Sequence, residues 1–342
     1  MTQATINLAL QGGGAHGAFT WGALDALLED GRIGFDGLSG TSAGAMNAVV
    51  MAAGWLQDGR DGARQALADF WQGIASKGVF WNSRSDSNSG LFDWPGRDLF
   101  TGAGNQWLEA WSSFVSPYQF NPFNINPLRD LLTRQVDFQA LSQPHCLKLY
   151  ICATNVRSGK IRIFDNAEIS LDTLLASACL PQLFRAVEID GEAYWDGGYM
   201  GNPALYPLYY NTPTRDIVVV HVNPIRREEV PRNPAAIATR VNEISFNSSL
   251  MREMRAIEFA ARMVEEGWLK DEYRSRLRHV LIHSIRDDVA MAALDGGGKL
   301  APDLKLLHRL RDLGRDAALA WLAAHRGDIG KRSSVDLRAE FL

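Results

Sequence analysis

Two glycine-rich turns, each between a predicted strand and a predicted helix, constrain the fold of this chain more than any other feature. The first, Gly12–Gly17, follows the alternating apolar residues of 5–10 and precedes a helix predicted over Phe19–Asp30. The second, Gly40–Gly44, follows the short apolar segment Phe35–Gly40 and precedes a helix that is apolar on nearly every side. That helix, predicted to end at Gly54, should therefore be buried against a sheet.

The remainder of the chain continues the alternation of strands and helices. Five further strands are predicted before the C-terminal part: Lys148–Thr154, Lys160–Phe164, Val187–Ile189, Ala193–Trp195 and Ile217–Val222. A helix is predicted over Leu171–Cys179, and the chain from Asn233 onward is mostly helical with one strand at His279–Ile285. This pattern predicts an α/β fold with a mostly parallel central sheet covered on both faces.

The composition of the chain indicates which kinds of partner and which cellular compartment to expect. The chain has 342 residues and a net charge of −4, which argues against nucleic-acid binding because such binding needs a basic field. Three cysteines, Cys146, Cys152 and Cys179, show neither zinc nor redox spacing, which favours a reduced cytoplasmic compartment. No apolar stretch is long enough to span a bilayer, so we expect a soluble protein with at most peripheral membrane contact.

The second turn, Gly40-Thr41-Ser42-Ala43-Gly44, matches the pattern G-x-S-x-G in the context that this pattern requires. A sharp turn from strand to helix projects the Ser42 hydroxyl from the carboxyl end of the sheet, and side chains at Gly40 and Gly44 would clash within it. The turn also places Ser42 at a helix N-terminus, whose dipole favours developing negative charge. Ser42 is therefore a candidate nucleophile; the simpler alternative is a turn in which Ser42 only caps the helix.

The first turn offers unhindered backbone N–H groups that could point at one anion. In an acyl hydrolase these groups would stabilise the oxyanion of a tetrahedral intermediate, and in a dinucleotide enzyme they would hold a pyrophosphate. Gly12, Gly14 and Gly17 do satisfy G-x-G-x-x-G. The dinucleotide alternative fails at the next element, because Asp36 precedes a segment that runs into the second glycine-rich turn instead of ending a strand.

A serine nucleophile needs a base, and the sequence offers two kinds. His221 follows a predicted strand, and His16 lies inside the first turn; nothing marks out the other histidines, His145, His279, His283, His308 and His325. Asp196, in Trp195-Asp196-Gly197-Gly198, ends a short strand and is followed by two glycines. Its alternative is an ordinary Asp-Gly turn. A carboxylate could serve as the base if burial raised its pKa.

Three of these motifs together resemble the patatin-like phospholipase family. Gly12-Gly13-Gly14-Ala15-His16-Gly17 resembles the oxyanion loop of the family, Gly40–Gly44 its G-x-S-x-G motif, and Asp196-Gly197-Gly198 its D-G-G/A motif. A weaker block at 176–184 is similar to the small-residue helix end and proline that the family often carries before its aspartate. The resemblance covers residues 5–225, and 233–325 is similar to the helical tail of bacterial members.

The resemblance implies a three-layer α/β/α sandwich and a Ser–Asp dyad without histidine. Carried over, Ser42 attacks an ester carbonyl, Asp196 takes its proton, and amides of the first turn, Gly12, Gly13, Gly14 and Gly17, hold the oxyanion. The glycines Gly40, Gly44, Gly197 and Gly198 flank the two catalytic residues. Neither a metal nor an organic cofactor is implied, and the expected substrate is a lipid or lipid aggregate. Residues 5–225 would form the catalytic domain, with 226–342 as a helical extension packed on it.

The segment 80–127 differs from its surroundings because it is rich in Ser, Asn, Gly, Pro and aromatic residues. A lid or acyl-chain channel is one interpretation, since aromatic rings tolerate a lipid–water interface. The other is that these rings anchor a long loop to the core. The C-terminal helices, Asn242–Glu265 and Asp303–Ala324, are amphipathic, which suits core packing, a dimer face or a membrane-facing surface.

Other functions fit the same residues. A thioesterase, an acyltransferase or an intracellular polyester depolymerase would share the acyl-serine step. A non-catalytic regulatory protein with this fold is a further alternative, although it would not need Ser42, Asp196 and the glycine loop together. The sequence indicates neither the lipid class nor the oligomeric state.

Overall fold

The computed structural model describes residues 3–77, 116–143, 147–268, 279–294 and 303–342. Within these ranges, one central sheet contains eight strands: β1 (Ala4–Leu10), β2 (Ile33–Thr41), β3 (Lys148–Asn155), β4 (Ile161–Asp165), β5 (Val187–Ile189), β6 (Glu192–Asp196), β7 (Asp216–Val220) and β8 (Leu281–Ile285). Each of these strands lies where the sequence predicts one, with boundaries shifted by at most a few residues.

Helices of two sizes surround the sheet. The longer ones are α1 (Gly17–Asp30), α2 (Ala43–Lys77), α8 (Pro234–Glu265) and α10 (Leu304–His325). The shorter ones are α3 (Pro117–Phe120), α4 (Pro127–Gln135), α5 (Phe138–Leu141), α6 (Leu171–Ser177), α7 (Tyr206–Asn211), α9 (Asp288–Ala292) and α11 (Leu337–Phe341). Single 3₁₀ turns occur at Gly14–His16, Gly197–Tyr199 and Arg326–Asp328.

The strand order is β5-β6-β3-β2-β1-β7-β8, and β4 pairs with β3. The five strands from β3 to β8 in this order are parallel, whereas β4 and β6 run antiparallel to β3. Leu10 pairs with both Gly40 and Val220, so β1, β2 and β7 end at the same edge of the sheet. The two glycine-rich turns therefore follow neighbouring parallel strands and lie side by side.

Two separate apolar cores cover the two faces of the sheet. Alternate residues of β1 divide between them: Leu8 and Leu10 face the core built with α1, α2 and α10, and Ala9 faces the core built with α7, α8 and α11. The period of two in a strand explains this division, because successive side chains point to opposite faces. The molecule is thus a three-layer α/β/α sandwich with a mostly parallel sheet, as the sequence and the resemblance predict.

The helix predicted to end at Gly54 does not end there. It continues as part of α2, which is interrupted instead at Asp58 and Gly59, where the backbone is non-helical and Gly59 has a φ of 54°. Gly54 lies against the second half of α2, since a Cβ at this position would be 2.4 Å from the Gly62 carbonyl oxygen. The glycine at 54 serves close packing, and the prediction failed because the sequence pattern does not distinguish this use from a helix stop.

The C-terminal part completes the sandwich. β8 pairs with β7 along its whole length and extends the sheet, and α10 packs extensively on α1. α8 buries Leu250, Met254 and Ile257 in the second core. None of the helices within the described residues combines the length and apolar character needed to cross a bilayer.

Candidate active site

The topology of β3 brings the second turn and Asp196 together. β4 occupies one edge of β3, so β2 and β6 must share the other edge. On that edge Thr41, the last residue of β2, pairs with Cys152, and Asp196, the last residue of β6, pairs with Ala153. Because Cys152 and Ala153 are consecutive, the residue after Thr41 comes next to Asp196. Ser42 and Asp196 are 154 positions apart in the sequence, yet the sheet makes them neighbours.

Ser42 occupies the sharp turn that its motif predicts. Its φ is 53°, a left-handed conformation that non-glycine residues rarely adopt. Its carbonyl accepts the Met46 N–H at 3.1 Å, so Ser42 is the residue that directly precedes and caps α2. A Cβ at Gly40 would lie 2.6 Å from the Gly44 carbonyl oxygen, and one at Gly44 would lie 2.1 Å from that of Leu10. The predicted clash at both flanking positions is therefore present.

Asp196 is a buried carboxylate beside Ser42. The side chain is only 1% exposed. It accepts the Gly198 N–H at 2.7 Å, and the Ser42 hydroxyl is near enough to stabilise its ionised form. Burial raises the pKa of Asp196 to about 7, while the Gly198 N–H and the Ser42 hydroxyl act in the opposite direction. The carboxyl is thus poised to change protonation near neutral pH.

The two glycines after Asp196 also pack without room for a side chain. A Cβ at Gly197 would lie 2.3 Å from the Cys152 carbonyl oxygen, and one at Gly198 would lie 2.0 Å from the Phe246 ring. Gly198 therefore turns the chain tightly enough for its own N–H to reach back to the carboxylate of Asp196. Phe246 comes from α8, so the C-terminal part forms one wall of the site.

The first turn approaches Ser42 directly. A Cβ at Gly12 would lie 2.8 Å from the Ser42 Cβ, and one at Gly17 would lie 2.6 Å from the Ala43 Cβ. The N–H of Gly12 donates to Asn202 Oδ1 at 2.6 Å, and that of Gly17 donates to the 3₁₀ turn before it. Within the described residues, the N–H groups of Gly13 and Gly14 donate to no protein acceptor. These two amides are therefore available beside Ser42.

A buried polar network, which no motif in the sequence indicates, holds the first turn in place. Gln11 accepts the N–H groups of Val222 and Asn223 at 3.0 and 3.2 Å, and its amide donates to Asn247 Oδ1 at 2.9 Å. Asn223 in turn donates to the Gly12 carbonyl at 2.8 Å. Buried side-chain amides are expensive unless all are bonded, so this network specifies one position for the turn.

Ser177 is a second residue that the sequence motifs did not identify. Its Oγ accepts the Ser42 N–H at 2.9 Å. Ser177 is fully buried at the end of α6, inside the small-residue block at 176–184. The sequence shows this block only as a resemblance to the family, whereas in the structure its Ser177 supports the strained turn through the Ser42 N–H.

The histidines of the described residues have other partners. His221 is buried, its Nε2 lies 3.1 Å from Ser284 Oγ, and its ring stacks on Phe341. Burial lowers the pKa of His221 to about 3. His16 is buried in the first turn, and the others contact carboxylates or a ring: His279, His283, His308 and His325. His145 lies outside the described residues.

Most of the aromatic-rich segment 80–127 lies outside the described residues. Of its described end, Tyr118 and Phe123 are exposed, and Arg185 stacks on the Tyr118 ring at 5.2 Å. Arg185 follows the block that carries Ser177, so the end of the segment contacts the same side of the molecule as the site. The lid and the anchoring interpretation both remain predictions.

Comparison with known proteins places the chain in a family. The family model described as patatin-like phospholipase matches residues 8–216, which is more than half of the chain. The protein therefore belongs to the patatin-like phospholipase family, a family of lipid hydrolases. No curated protein matches the chain. Among solved structures, VipD from Legionella pneumophila is similar with a TM-score of 0.42 and 15% sequence identity, covering 95% of this chain and 67% of VipD.

Proposed function

We propose that this protein is a serine-dependent lipid acyl hydrolase that cleaves carboxylic esters of phospholipids or related lipids. The single observation that carries the proposal is that the sheet places Ser42, at its strained turn, next to the buried carboxylate of Asp196, whose pKa the Ser42 hydroxyl lowers. A hydroxyl at a strained turn and a carboxylate with a raised pKa form a nucleophile–base pair. The family supplies the expected substrate class, and Ser42 and Asp196 supply the chemistry.

In the proposed first half-reaction, Ser42 Oγ attacks the ester carbonyl carbon and its proton passes to Asp196. The carbonyl oxygen becomes an oxyanion, which the N–H groups of Gly13 and Gly14 stabilise together with the N-terminus of α2. The intermediate then collapses, the C–O bond to the alcohol breaks, and Asp196 returns the proton to the departing alkoxide. The products of this step are a free alcohol and an acyl-Ser42 ester.

The second half-reaction repeats these steps with water. Asp196 accepts a proton from water as its oxygen attacks the acyl-serine carbonyl, and the same amides hold the second oxyanion. Collapse releases the fatty acid and returns the proton to Ser42 Oγ. A pKa near 7 suits both halves, because a base with that pKa accepts and releases a proton with little loss at neutral pH.

Active-site labelling with a fluorophosphonate tests the nucleophile. The reagent should modify Ser42 and abolish hydrolysis of p-nitrophenyl butyrate and of mixed phospholipids, since it reacts only with an activated serine. Ser42→Ala should lose both labelling and activity. The matched control is Ser284→Ala. Ser284 Oγ lies at hydrogen-bond distance from His221, so this serine also has a neighbour that could in principle act as a base. Label found on Ser284, or activity retained by folded Ser42→Ala, would remove the proposal.

Ser177 is expected to act as a positioning residue. Ser177→Ala leaves the Ser42 N–H without its acceptor, a loss worth about 1–3 kcal/mol. Because the lost bond supports the strained turn and does not touch substrate, kcat should fall roughly 10- to 100-fold with KM little changed. Steady-state kinetics on p-nitrophenyl butyrate measure this split.

The control for Ser177 lies on the same helix. Ser170 caps the opposite end of α6, where its side chain accepts the Thr173 N–H. Ser170→Ala should lower stability by about 1 kcal/mol without changing kcat, because Ser170 does not contact the turn. Equal kcat values for the two variants would show that Ser177 serves only the stability of α6.

A further inference from the structure

The outward face of α8 differs from that of an ordinary surface helix. Its inward residues are buried, among them Glu243, Asn247 and Leu250. The opposite face begins with Ile237, Val241 and Ile244, which are 44%, 55% and 54% exposed. Their spacing of four and three residues places them in one stripe. Single exposed apolar residues are common, but a contiguous stripe marks an interaction surface.

The same face becomes basic further along the helix. Arg252 and Arg255 are exposed and form no ion pair or hydrogen bond with another described residue. They border an open depression of about 390 Å³, whose apolar walls include Ile225, Ile244 and Met251. Arg240, at the same depression, is already bound to Glu243. The guanidinium groups of Arg252 and Arg255, which have no partner in the part of the chain that the structure describes, thus stand next to apolar surface.

The basic and apolar character continues toward the end of the helix, where the exposed Glu265 and Glu266 close it. The outward positions after Arg255 are Phe259, which is 47% exposed, and Arg262, which stacks on the rings of Phe259 and Trp268. From Ile237 to Phe259 the face measures roughly 33 Å at 1.5 Å per residue. A helix face that combines exposed apolar side chains with arginines suits the boundary between anionic head groups and acyl chains.

We propose that this face of α8 docks the protein on an anionic lipid surface. The inference rests on the proposed function, since a lipid hydrolase must reach a substrate held in an aggregate. An anionic lipid surface is the partner that this face complements, because its head groups suit the exposed Arg252 and Arg255 and its acyl chains suit the exposed apolar stripe beside them. The chain as a whole has a net charge of −4, so attraction to an anionic surface must come from a local basic patch.

The helix that carries the docking face also contacts the candidate site. Asn247, which lines the depression, accepts a hydrogen bond from Gln11 and so belongs to the network that holds the first turn. One residue before it, Phe246 contacts Gly198 beside Asp196. α8 therefore carries the proposed lipid contact on its outer side and supports both halves of the site on its inner side.

Vesicle co-sedimentation of the Ser42→Ala protein tests the docking face without consuming the lipid. Vesicles are made of phosphatidylcholine alone or of phosphatidylcholine mixed with phosphatidylserine. We expect preferential binding to the anionic vesicles, weakened by salt. Each arginine near an anionic surface strengthens binding roughly fivefold, so Arg252→Gln with Arg255→Gln should weaken it roughly 30-fold. Val241→Ser with Ile244→Ser should weaken it also, because the stripe would no longer enter the interface.

The matched control carries the same loss of charge on a different helix. Lys305 and Arg309 are exposed on α10, and their replacement by Gln should leave vesicle binding unchanged. Circular dichroism and thermal melting confirm that each variant is folded. Equal binding by the two double-Gln variants, equal binding to neutral and anionic vesicles, or no binding at all would overturn the proposal. The readout does not depend on hydrolysis, so failure of docking is distinguishable from failure of the hydrolase assignment.

Discussion

Replacement of Asp196 by asparagine is expected to lower ester hydrolysis roughly 10⁴-fold and, at the same time, to make the protein more stable at pH 8. Asparagine keeps an acceptor for the Gly198 N–H and a polar group beside Ser42, so the geometry of the site can survive. It cannot accept the proton of Ser42. The loss of activity then reports the removal of the catalytic base, because the fold of the site is unchanged.

The gain in stability follows from the pKa of Asp196. Folding raises this pKa from an ordinary value of 3.8 to about 7 because the carboxyl is buried. The contribution of the carboxyl to stability is fully present below pH 3.8, where it is neutral in both states, and is lost as the pH rises through about 7. The ionised group therefore costs about 4 kcal/mol at pH 8, at 1.36 kcal/mol per unit. Asparagine has no such cost.

Two pH series check this pair of expectations. Urea denaturation gives the free energy of unfolding of each protein. We expect the value for Asp196→Asn to equal that of the wild type at acid pH and to exceed it by several kcal/mol at pH 8. In the wild type, kcat/KM should rise through a midpoint near pH 7, because only the carboxylate accepts a proton. An active asparagine variant, or a stability difference independent of pH, contradicts the assignment.

Glu253 provides the control for the stability effect. Burial also raises its pKa to about 7, and it accepts the N–H groups of Leu205 and Tyr206 at 2.9 Å each. Glu253→Gln should therefore gain stability at high pH as Asp196→Asn does, but without the loss of hydrolysis. The comparison separates the cost of burying a carboxylate from the use of that carboxylate in catalysis.

The sequence predicted those parts of the site that depend on short-range chemistry. Glycines at 40 and 44 are needed because a strand-to-helix turn admits no side chain there, and this requirement can be read from five consecutive residues. The meeting of Ser42 with Asp196 was predictable only through the family resemblance. Its physical cause, the shared edge of β3, is a pairing of strands that no local pattern encodes.

The supporting residues could not be predicted for the same reason. Gln11 and Asn247 are 236 positions apart, and Gly12 and Asn202 are 190 apart. A lone glutamine or asparagine gives no sequence signal until the fold buries it beside a partner. The assignment of Gly12 to the oxyanion-binding amides shows the limit: the motif located the loop, whereas only the structure shows that the Gly12 N–H already donates to Asn202.

Replacement of Gly44 by alanine is expected to lower hydrolysis at least 100-fold and to destabilise the protein by about 3 kcal/mol. Gly44 is the second residue of α2, and alanine in a helix is normally favourable over glycine by about 1 kcal/mol. Here the added Cβ would lie 2.1 Å from the Leu10 carbonyl oxygen and 2.8 Å from that of Gln11. Both contacts are with backbone, so no side chain can rotate away.

The steric clash costs more than the gain in helix propensity, because the clash is relieved only if the end of β1 moves away from α2 by about 1 Å. That movement displaces the glycine loop from Ser42, and an error of this size between reacting groups costs about 100-fold in rate. Gly327→Ala is the control, since a Cβ at Gly327 meets nothing within 4 Å, and its stability should change by less than about 0.5 kcal/mol. Urea denaturation and ester kinetics on both variants test this expectation. If Gly44→Ala has the stability and activity of the wild type, the two turns are not in the close contact on which the proposed site depends.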